Sequence, residues 1–388
     1  MRILIVCDSF FPKRNAPANR FLTLISYWAT NHHVTLITSN ASLKNRNFLK
    51  NYINMNNFTL ISQSNYFKNQ KILYKFLNLF LFLFNSIKNL LSLSFKNYDV
   101  VLCSSPSLIT LLIGYLAKIK LNSKYVVEIR DIWSDSLRDL GIIKSNFFFK
   151  IIKKYEDFFI TRADLLISVT DNIKNKLPFN RKHIVLTNFV SIDIIKSKYY
   201  DKNQYLNPLK LNKNINLLYI GTIGLSHEFE EIIDLFKNNN KIRLSIVGDG
   251  VNKQYLSNKY SNYSNIFFFN YSNDHKLISK YYLNSDICLI VLKDIEIFKS
   301  VIPSKIFEYA YLKKFILYHG PYNEASNLIK DYKIGLCSHN KDDLKTNINL
   351  IMKGYLSKNY MNAKFDKFNK KYSSEIISKV YINEIKSI

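Results

Sequence analysis

Asp286-Ile-Cys-Leu-Ile-Val-Leu292, Val301-Ile-Pro-Ser-Lys-Ile-Phe-Glu-Tyr309 and Phe315-Ile-Leu-Tyr-His-Gly320 follow one another closely and decide the fold class. The first and third are short continuous apolar runs, the pattern of strands buried on both faces. The middle segment carries Pro303, whose fixed φ suits the first turn of a helix, and Ser304 stands where it can cap the free amides. Strand, helix and strand in succession make a βαβ unit and call for a parallel sheet. The turn into that helix also carries chemistry. The helix dipole, the free N–H groups and the Lys305 ammonium favour an anion, and Glu308, one turn on, offers a carboxylate to nearby hydroxyls. Phosphate beside a diol describes a nucleotide; the plain alternative is a capped helix with one solvated Lys and one solvated Glu.

The same alternation extends in both directions. Upstream it runs through strands at Asn216 to Gly221, Ile242 to Val247 and Ile266 to Phe269, with helices at Phe229 to Phe236 and Asp274 to Leu283. Downstream come a helix at Asn323 to Tyr332 and a strand at Ile334 to Cys337. The N-terminal half repeats the pattern with strands at Arg2 to Cys7, Val34 to Thr38, Asp99 to Cys103, Tyr125 to Arg130, Leu165 to Val169 and His183 to Leu186. Around Tyr199 to Asn216 the chain turns polar and loses periodicity, as a linker does. The reading is therefore α/β, with two tandem doubly wound parallel-sheet, Rossmann-like domains. Residues 1–200, completed by 368–388 crossing back, form the first domain and 201–367 the second.

Composition bounds the possibilities. A chain of 388 residues exceeds one ordinary core, and 47% hydrophobic residues supply enough apolar surface for two. The net charge of +26 comes from Lys scattered along the whole chain, so it does not single out a nucleic-acid face; it supports contact with anionic lipid. Cys7, Cys103, Cys288 and Cys337 are far apart, with no C-x-x-C pair, and read as reduced core residues of a cytosolic protein. There is no H-E-x-x-H, no D-x-D, no Walker A sequence and no G-x-G-x-x-G, so no metal site, no cofactor and no dinucleotide or P-loop chemistry is indicated. The most hydrophobic region, Lys71 to Lys96, includes Phe76-Leu-Asn-Leu-Phe-Leu-Phe-Leu-Phe84, interrupted by Lys75 and Lys88. It is too short to span a bilayer and is either a helix lying in the membrane interface or a buried core helix.

Four loops follow apolar strands: Phe11 to Arg20, Glu128 to Arg138, Gly221-Thr-Ile-Gly224 and Gly248-Asp-Gly250. The small residues of the first allow a phosphate to approach the backbone, or make a plain connection. In the second, a buried Arg130 requires an anion, which Asp131 could supply as a structural ion pair. The two Gly-containing loops can approach a ligand closely or simply reverse the chain.

With these loops in place the chain resembles the GT-B glycosyltransferases of family 4, especially the bacterial group that builds lipopolysaccharide and capsular sugars. The matching pieces, in the family's order, are Met1-Arg-Ile-Leu-Ile-Val with Phe10-Phe-Pro12, Val127-Glu-Ile-Arg-Asp-Ile-Trp133, Tyr219-Ile-Gly-Thr-Ile-Gly224, Ile246-Val-Gly-Asp-Gly250 and Ile302-Pro-Ser-Lys-Ile-Phe-Glu-Tyr309. The resemblance implies GT-B architecture and a nucleotide diphosphate sugar donor held by the C-terminal domain. It implies a lipid-linked or oligosaccharide acceptor held by the N-terminal one, and retention of anomeric configuration. Carried over residue by residue, it implies that Glu308 binds the ribose beside Ser304 and that Lys305 neutralises the diphosphate. Gly221, Gly248 and Gly250 would contact the donor, and Asn15 and Ala16 would cover its phosphates. Arg20 would meet the acceptor, and Arg130 with Asp131 would work in place of the family's His-containing motif. Ser300 stands where a second Glu is common, and no Arg and Lys pair follows the first strand of the second domain.

The expected protein is thus a hexosyl- or N-acetylhexosaminyl-type transferase in cell-surface polysaccharide synthesis, cytoplasmic and peripheral on the inner face of the cell membrane. A basic membrane- or nucleic-acid-binding protein on a degenerate transferase fold is the alternative from another class. A nucleotide-sugar epimerase is a third, and it would call for more acid and base groups than the loops supply.

Overall fold

The computed structural model describes residues 1–11, 15–39, 46–63, 72–92, 98–105, 107–178, 181–200, 214–224, 227–355 and 359–388. The chain divides into two compact units, Met1–Asp193 with Ser373–Ile388, and Ile194–Tyr372.

The first unit contains strands β1 (Arg2–Cys7), β2 (His33–Ser39), β3 (Phe58–Gln63), β4 (Val100–Ser104), β5 (Lys124–Ile129), β6 (Leu165–Ser168) and β7 (His183–Val185). They pair in parallel in the order β3-β2-β1-β4-β5-β6-β7. Its helices are α1 (Ala16–Trp28), α2 (Arg46–Lys50), α3 (Ile72–Ser92), α4 (Leu108–Leu121), α5 (Trp133–Asp139), α6 (Asn146–Ile160) and α7 (Asp171–Lys176), with the short α8 (Ile192–Ile195) at the unit's edge. Alternate strand residues face opposite layers. Ile3, Ile5 and Cys7 pack with Phe21, Leu24 and Trp28 of α1 and with Ile377, Tyr381 and Ile385 of the C-terminal helix Ser374–Lys386. Leu4 and Val6 pack on the other side with Phe82, Leu90, Leu111, Phe159 and Ile160 from α3, α4 and α6. Two covered faces explain why the strands read as unbroken apolar runs. β3 was not legible in the sequence. It lies at the sheet edge, and Phe58-Thr-Leu-Ile-Ser-Gln63 mixes polar and apolar residues as an edge strand does.

The second unit contains β8 (Ile215–Thr222), α9 (Phe229–Phe236), β9 (Ile242–Asp249), α10 (Lys253–Lys259), β10 (Ile266–Asn270), α11 (His275–Leu283), β11 (Ile287–Val291), α12 (Lys305–Tyr311), β12 (Phe315–His319), α13 (Glu324–Asp331), β13 (Gly335–Ser338) and α14 (Lys341–Met352). Its six strands are parallel in the order β10-β9-β8-β11-β12-β13. Both sheets are doubly wound. The strand order reverses between β1 and β4 in one and between β8 and β11 in the other, and outside the C-terminal ends of strands at such a reversal open sheets bind ligands. Of the expected linker, Tyr199 to Asn216, residues 201–213 lie outside the described residues.

The hydrophobic segment resolves into α3, and its faces answer the question the sequence left open. Phe82, Ser86 and Leu90 point into the core, whereas Leu77, Phe80, Phe84, Lys88 and Leu91 form the outward stripe. The run is therefore both a core helix and an exposed apolar surface, split at helical spacing. The ends of the segment, at Lys71 and 93–96, lie outside the described residues. Among the described residues no helix is long and apolar enough to cross a membrane.

Candidate active site

In the second unit, β11 leads through a 3-10 turn at Glu296–Ser300 into α12. Asn323 fixes that turn by donating from Nδ2 to the carbonyls of Phe298 (2.9 Å) and Val301 (3.3 Å). The expected cap does not form. Ser304 has αR backbone angles, φ −60° and ψ −22°, and its side chain accepts no capping hydrogen bond. A cap requires extended backbone at that position. Here Ile306 and Phe307 donate their amides to the carbonyls of Pro303 and Ser304 instead, tightening the first turn.

Lys305 and Glu308 face the same side, one turn apart, and pair with each other. Lys305 Nζ donates to Glu308 Oε2 at 2.6 Å, and Tyr282 Oη from α11 donates to Glu308 Oε1 at 2.5 Å. The plain alternative of two solvated charges fails, because the Glu308 side chain is only 11% exposed and Lys305 is 32% exposed. The carboxylate is held by two donors and still has acceptor sites left, and the ammonium keeps a further N–H. Tyr282, fully buried, was missed in the sequence because nothing local connects α11 to α12. His319, at the C-terminal end of β12, was missed too. It is buried, with Nε2 3.5 Å from Glu231 Oε2, and its Nδ1 has no hydrogen-bond partner among the described residues.

The Gly-containing loops pack on each other. A Cβ on Gly248 would stand 1.9 Å from the Gly221 carbonyl oxygen, so β8 and β9 approach there as only glycine allows. Gly250 has φ +153°, and its Cβ would meet the Ile223 carbonyl oxygen at 2.3 Å. These contacts account for the glycines through the chain itself.

In the first unit, the loop after β5 contains the charges the sequence pointed to, but in a different pairing. Arg130 does not form an ion pair with Asp131. The buried ion pair is Arg20–Glu128, Nε to Oε2 at 2.9 Å, with side chains 2% and 0% exposed. Arg20 also donates to the carbonyls of Thr187 (2.8 Å) and Leu186 (2.9 Å), so its guanidinium is committed inside the protein. The sequence reading put this side chain at an acceptor, and the buried contacts above are what the structure shows of it. Glu128 further accepts from Ser104 Oγ and from Tyr381 Oη, each at 3.1 Å. Arg130 is 8% exposed, and its Nε has no hydrogen-bond partner among the described residues. Burial lowers its pKa; Glu128 opposes this most and Arg20 adds to it. Glu128 thus pairs with Arg20 and also favours the charge on Arg130. Desolvation raises the pKa of Asp131 to about 6 against the lowering influence of Arg130, so its carboxylate is charged at neutral pH at a cost in desolvation. What remains for a ligand is the buried Arg130 guanidinium with an unsatisfied N–H, a group suited to an anion.

Supporting residues hold this loop. Ser105 Oγ accepts from the Arg130 amide at 2.9 Å. Buried Glu156 accepts from the amides of Trp133 (2.9 Å) and Ser134 (3.3 Å) and so caps α5 from across the layer. Asn15 and Ala16 sit at the start of α1. Asn15 Oδ1 accepts from the Ala18 amide at 3.1 Å as an N-cap, and its Nδ2 donates to Ser9 Oγ at 2.9 Å. The remainder of that loop, 12–14, lies outside the described residues. Among the described residues no group of His, Cys, Asp or Glu could hold a metal ion.

The fold is that of the GT-B glycosyltransferases. Anabaena HepE, solved in complex with UDP, aligns over 100% of both chains at a TM-score of 0.67 and 14% identity. The sucrose-phosphate synthase of Thermosynechococcus elongatus aligns over 100% of both at 0.72 and 11%. WaaG, a glycosyltransferase involved in lipopolysaccharide biosynthesis, aligns over 99% of both at 0.63 and 14%. Residues 201–371 match the family model described as glycosyl transferases group 1, which spans β8 to the end of the second unit and includes Lys305 and Glu308. No curated protein matches the sequence.

Proposed function

We propose that this protein transfers a sugar from a nucleotide diphosphate sugar to a hydroxyl of a lipid-linked or oligosaccharide acceptor, with retention of configuration, in cell-surface polysaccharide synthesis. The observation that carries the reading is the Lys305–Glu308–Tyr282 group, set beside the strand-order reversal of a sheet that matches the group 1 transferases. A similar fold in HepE is occupied by UDP, which supports a uridine nucleotide as the first donor to try.

In such a transfer the departing diphosphate carries the developing charge, and fixed cations that meet it supply the main electrostatic stabilisation. Lys305 is assigned to that charge and Glu308 to the ribose hydroxyls, with Ser304, Gly221, Gly248 and Gly250 nearest the donor. Arg130 is assigned to the same anionic chemistry, Asp131 to its protonation balance, and Asn15 and Ala16 to the phosphates. No metal is invoked, so EDTA should leave transfer intact; loss of activity restored by Mg²⁺ would refute that part.

The protein is further proposed to work at the inner face of the cell membrane, attached peripherally through the outward stripe of α3, Leu77, Phe80, Phe84 and Leu91, with Lys88 among them. The test of the donor assignment is thermal unfolding against a panel of nucleotide sugars. A true donor at 100 times its Kd adds about 2.7 kcal/mol to native stability. One member of the panel should raise the melting temperature; a panel without effect would return the protein to the basic-binder alternative.

A further inference from the structure

α3, α4 and α6 lie over one face of the first sheet, and their far ends meet at the edge where the strands begin. There Lys120 of α4 donates to the carbonyls of Leu90 and Leu91, holding the last turn of α3. Between the ends of α4 and α6 lies a cavity of about 420 Å³ whose lining includes Tyr115, Lys118, Ile119, Ser123, Arg162 and Arg181. It is at the opposite end of the sheet from Arg130 and Asp131.

The charges in this cavity do not balance. Lys118, Arg162 and Arg181 are three cations, and Asp164 is the carboxylate that two of them share, 3.4 Å from Lys118 and 3.5 Å from Arg181; these two also donate to the carbonyls of Arg162 (3.2 Å) and Ala163 (3.3 Å). Arg162 instead lies over the Phe158 ring, 3.5 Å from its centre, and donates to the Phe158 carbonyl. In the cavity wall the Ser123 hydroxyl has no hydrogen-bond partner among the described residues.

The rim is apolar. Ile119 is 60% exposed, and Phe158 leads onto the outer stripe of α6, where Phe148 is 60% and Ile151 49% exposed with Tyr155 beside them. Lys150 and Lys154 flank the stripe and are exposed. An apolar ridge with cations along its edge and a cationic cavity at its end matches a lipid surface: acyl chains against the ridge and a phosphate in the cavity.

We propose that this cavity binds the phosphate of an anionic phospholipid headgroup, with the α6 stripe inserted beside it. The proposal deepens the membrane reading above and adds to it a specific headgroup site, distinct from the α3 stripe.

The test is sedimentation of the full chain with phosphatidylcholine vesicles, with and without phosphatidylglycerol, in parallel for three variants. Arg162→Gln with Arg181→Gln leaves Lys118 to balance Asp164. It should weaken binding to the phosphatidylglycerol vesicles by roughly fivefold per charge and leave phosphatidylcholine binding unchanged. Phe148→Ser with Ile151→Ser should weaken binding to both vesicle types, by about tenfold for each side chain that had left water. The third variant, Phe80→Ser with Phe84→Ser, probes α3 alone. Melting temperature and nucleotide-sugar binding, measured on each, report whether the fold is intact. If the α3 variant alone releases the protein, the headgroup site is wrong and the membrane reading stands. Should the parent bind neither vesicle, both fail. If inorganic phosphate raises the melting temperature of the parent but not of the Arg variant, while the vesicles are ignored, the cavity serves soluble phosphate and the lipid assignment is overturned.

Discussion

Replacing Glu128 by Gln tests the electrostatics of the first unit most directly. The carboxylate is fully buried, 2.9 Å from Arg20 Nε, and is the strongest favourable charge acting on Arg130. At an effective dielectric constant of about 20, one such contact amounts to roughly 6 kcal/mol of Coulomb attraction. Gln keeps the shape and one acceptor oxygen but loses the charge, leaving Arg20 without its carboxylate and Arg130 without the charge that most favours it. Removing one member of a buried pair costs about 3 to 5 kcal/mol, and that range is expected here. Adding Arg20→Met should cost less than the two changes summed, because the second removes a charge the first left uncompensated. A chain of two units need not unfold in one step, so total unfolding is a poor assay. Hydrogen exchange of the amides in β4 and β5 isolates the loss. Exchange that speeds up by less than the equivalent of about 1 kcal/mol would refute the account, since Arg130 and Arg20 would then be solvated or paired elsewhere.

Lys305→Ala should lower transfer by about 100-fold, as loss of one preorganised donor to the leaving group does, with Lys305→Arg recovering part; full activity in both would remove Lys305 from the mechanism. Glu308→Ala should cost about 1.5 to 3 kcal/mol of donor affinity by calorimetry, the value of hydrogen bonds to a charged acceptor. Asp131 has a folded pKa near 6, above its unfolded value of 3.8, so its ionisation opposes folding: the penalty is absent below the unfolded value, grows through about 6 and is full above. Asp131→Asn should therefore stabilise the protein at pH 7.5 and not at pH 3.5, as read by melting temperature at about those two values. Within α3, Phe82→Ser should destabilise by about 3 to 5 kcal/mol because Phe82 is 2% exposed, while Phe80→Ser and Phe84→Ser leave stability unchanged and release the protein from vesicles.

What the sequence revealed and what it hid follow one rule of distance along the chain. The two doubly wound sheets were legible because the strands other than the edge strand β3 are local apolar runs bounded by turns, a property of a few consecutive residues. The site was legible only where its partners are close, as with Lys305 and Glu308. The pairing of Arg20 was hidden because its partner, Glu128, lies 108 positions away, and no local pattern distinguishes an Arg that faces solvent from one that reaches across a sheet. Tyr282 and Asn323 were hidden for the same reason: each acts on a segment from another element. Ser304 misled in the opposite way. Its side chain suits a cap, but its backbone angle, which decides, is set by the turn before it. In α3 the run Phe80-Leu-Phe-Leu-Phe84 invites treatment of its three rings as equals, and a helical step of about 100° per residue separates the middle one from the others.

The Tyr381 hydrogen bond to Glu128 joins residues 253 positions apart, with the whole second unit encoded between them. During synthesis the second unit can therefore close its core while the first still lacks its last helix and the donor that completes its buried carboxylate. At about 5 to 20 residues per second the first unit waits tens of seconds, exposing the apolar side of β1 and α1 that Ile377, Tyr381 and Ile385 later cover. The order in which the two units can be completed is thus the reverse of the order in which they begin, and during the interval that apolar side is open to wrong contacts.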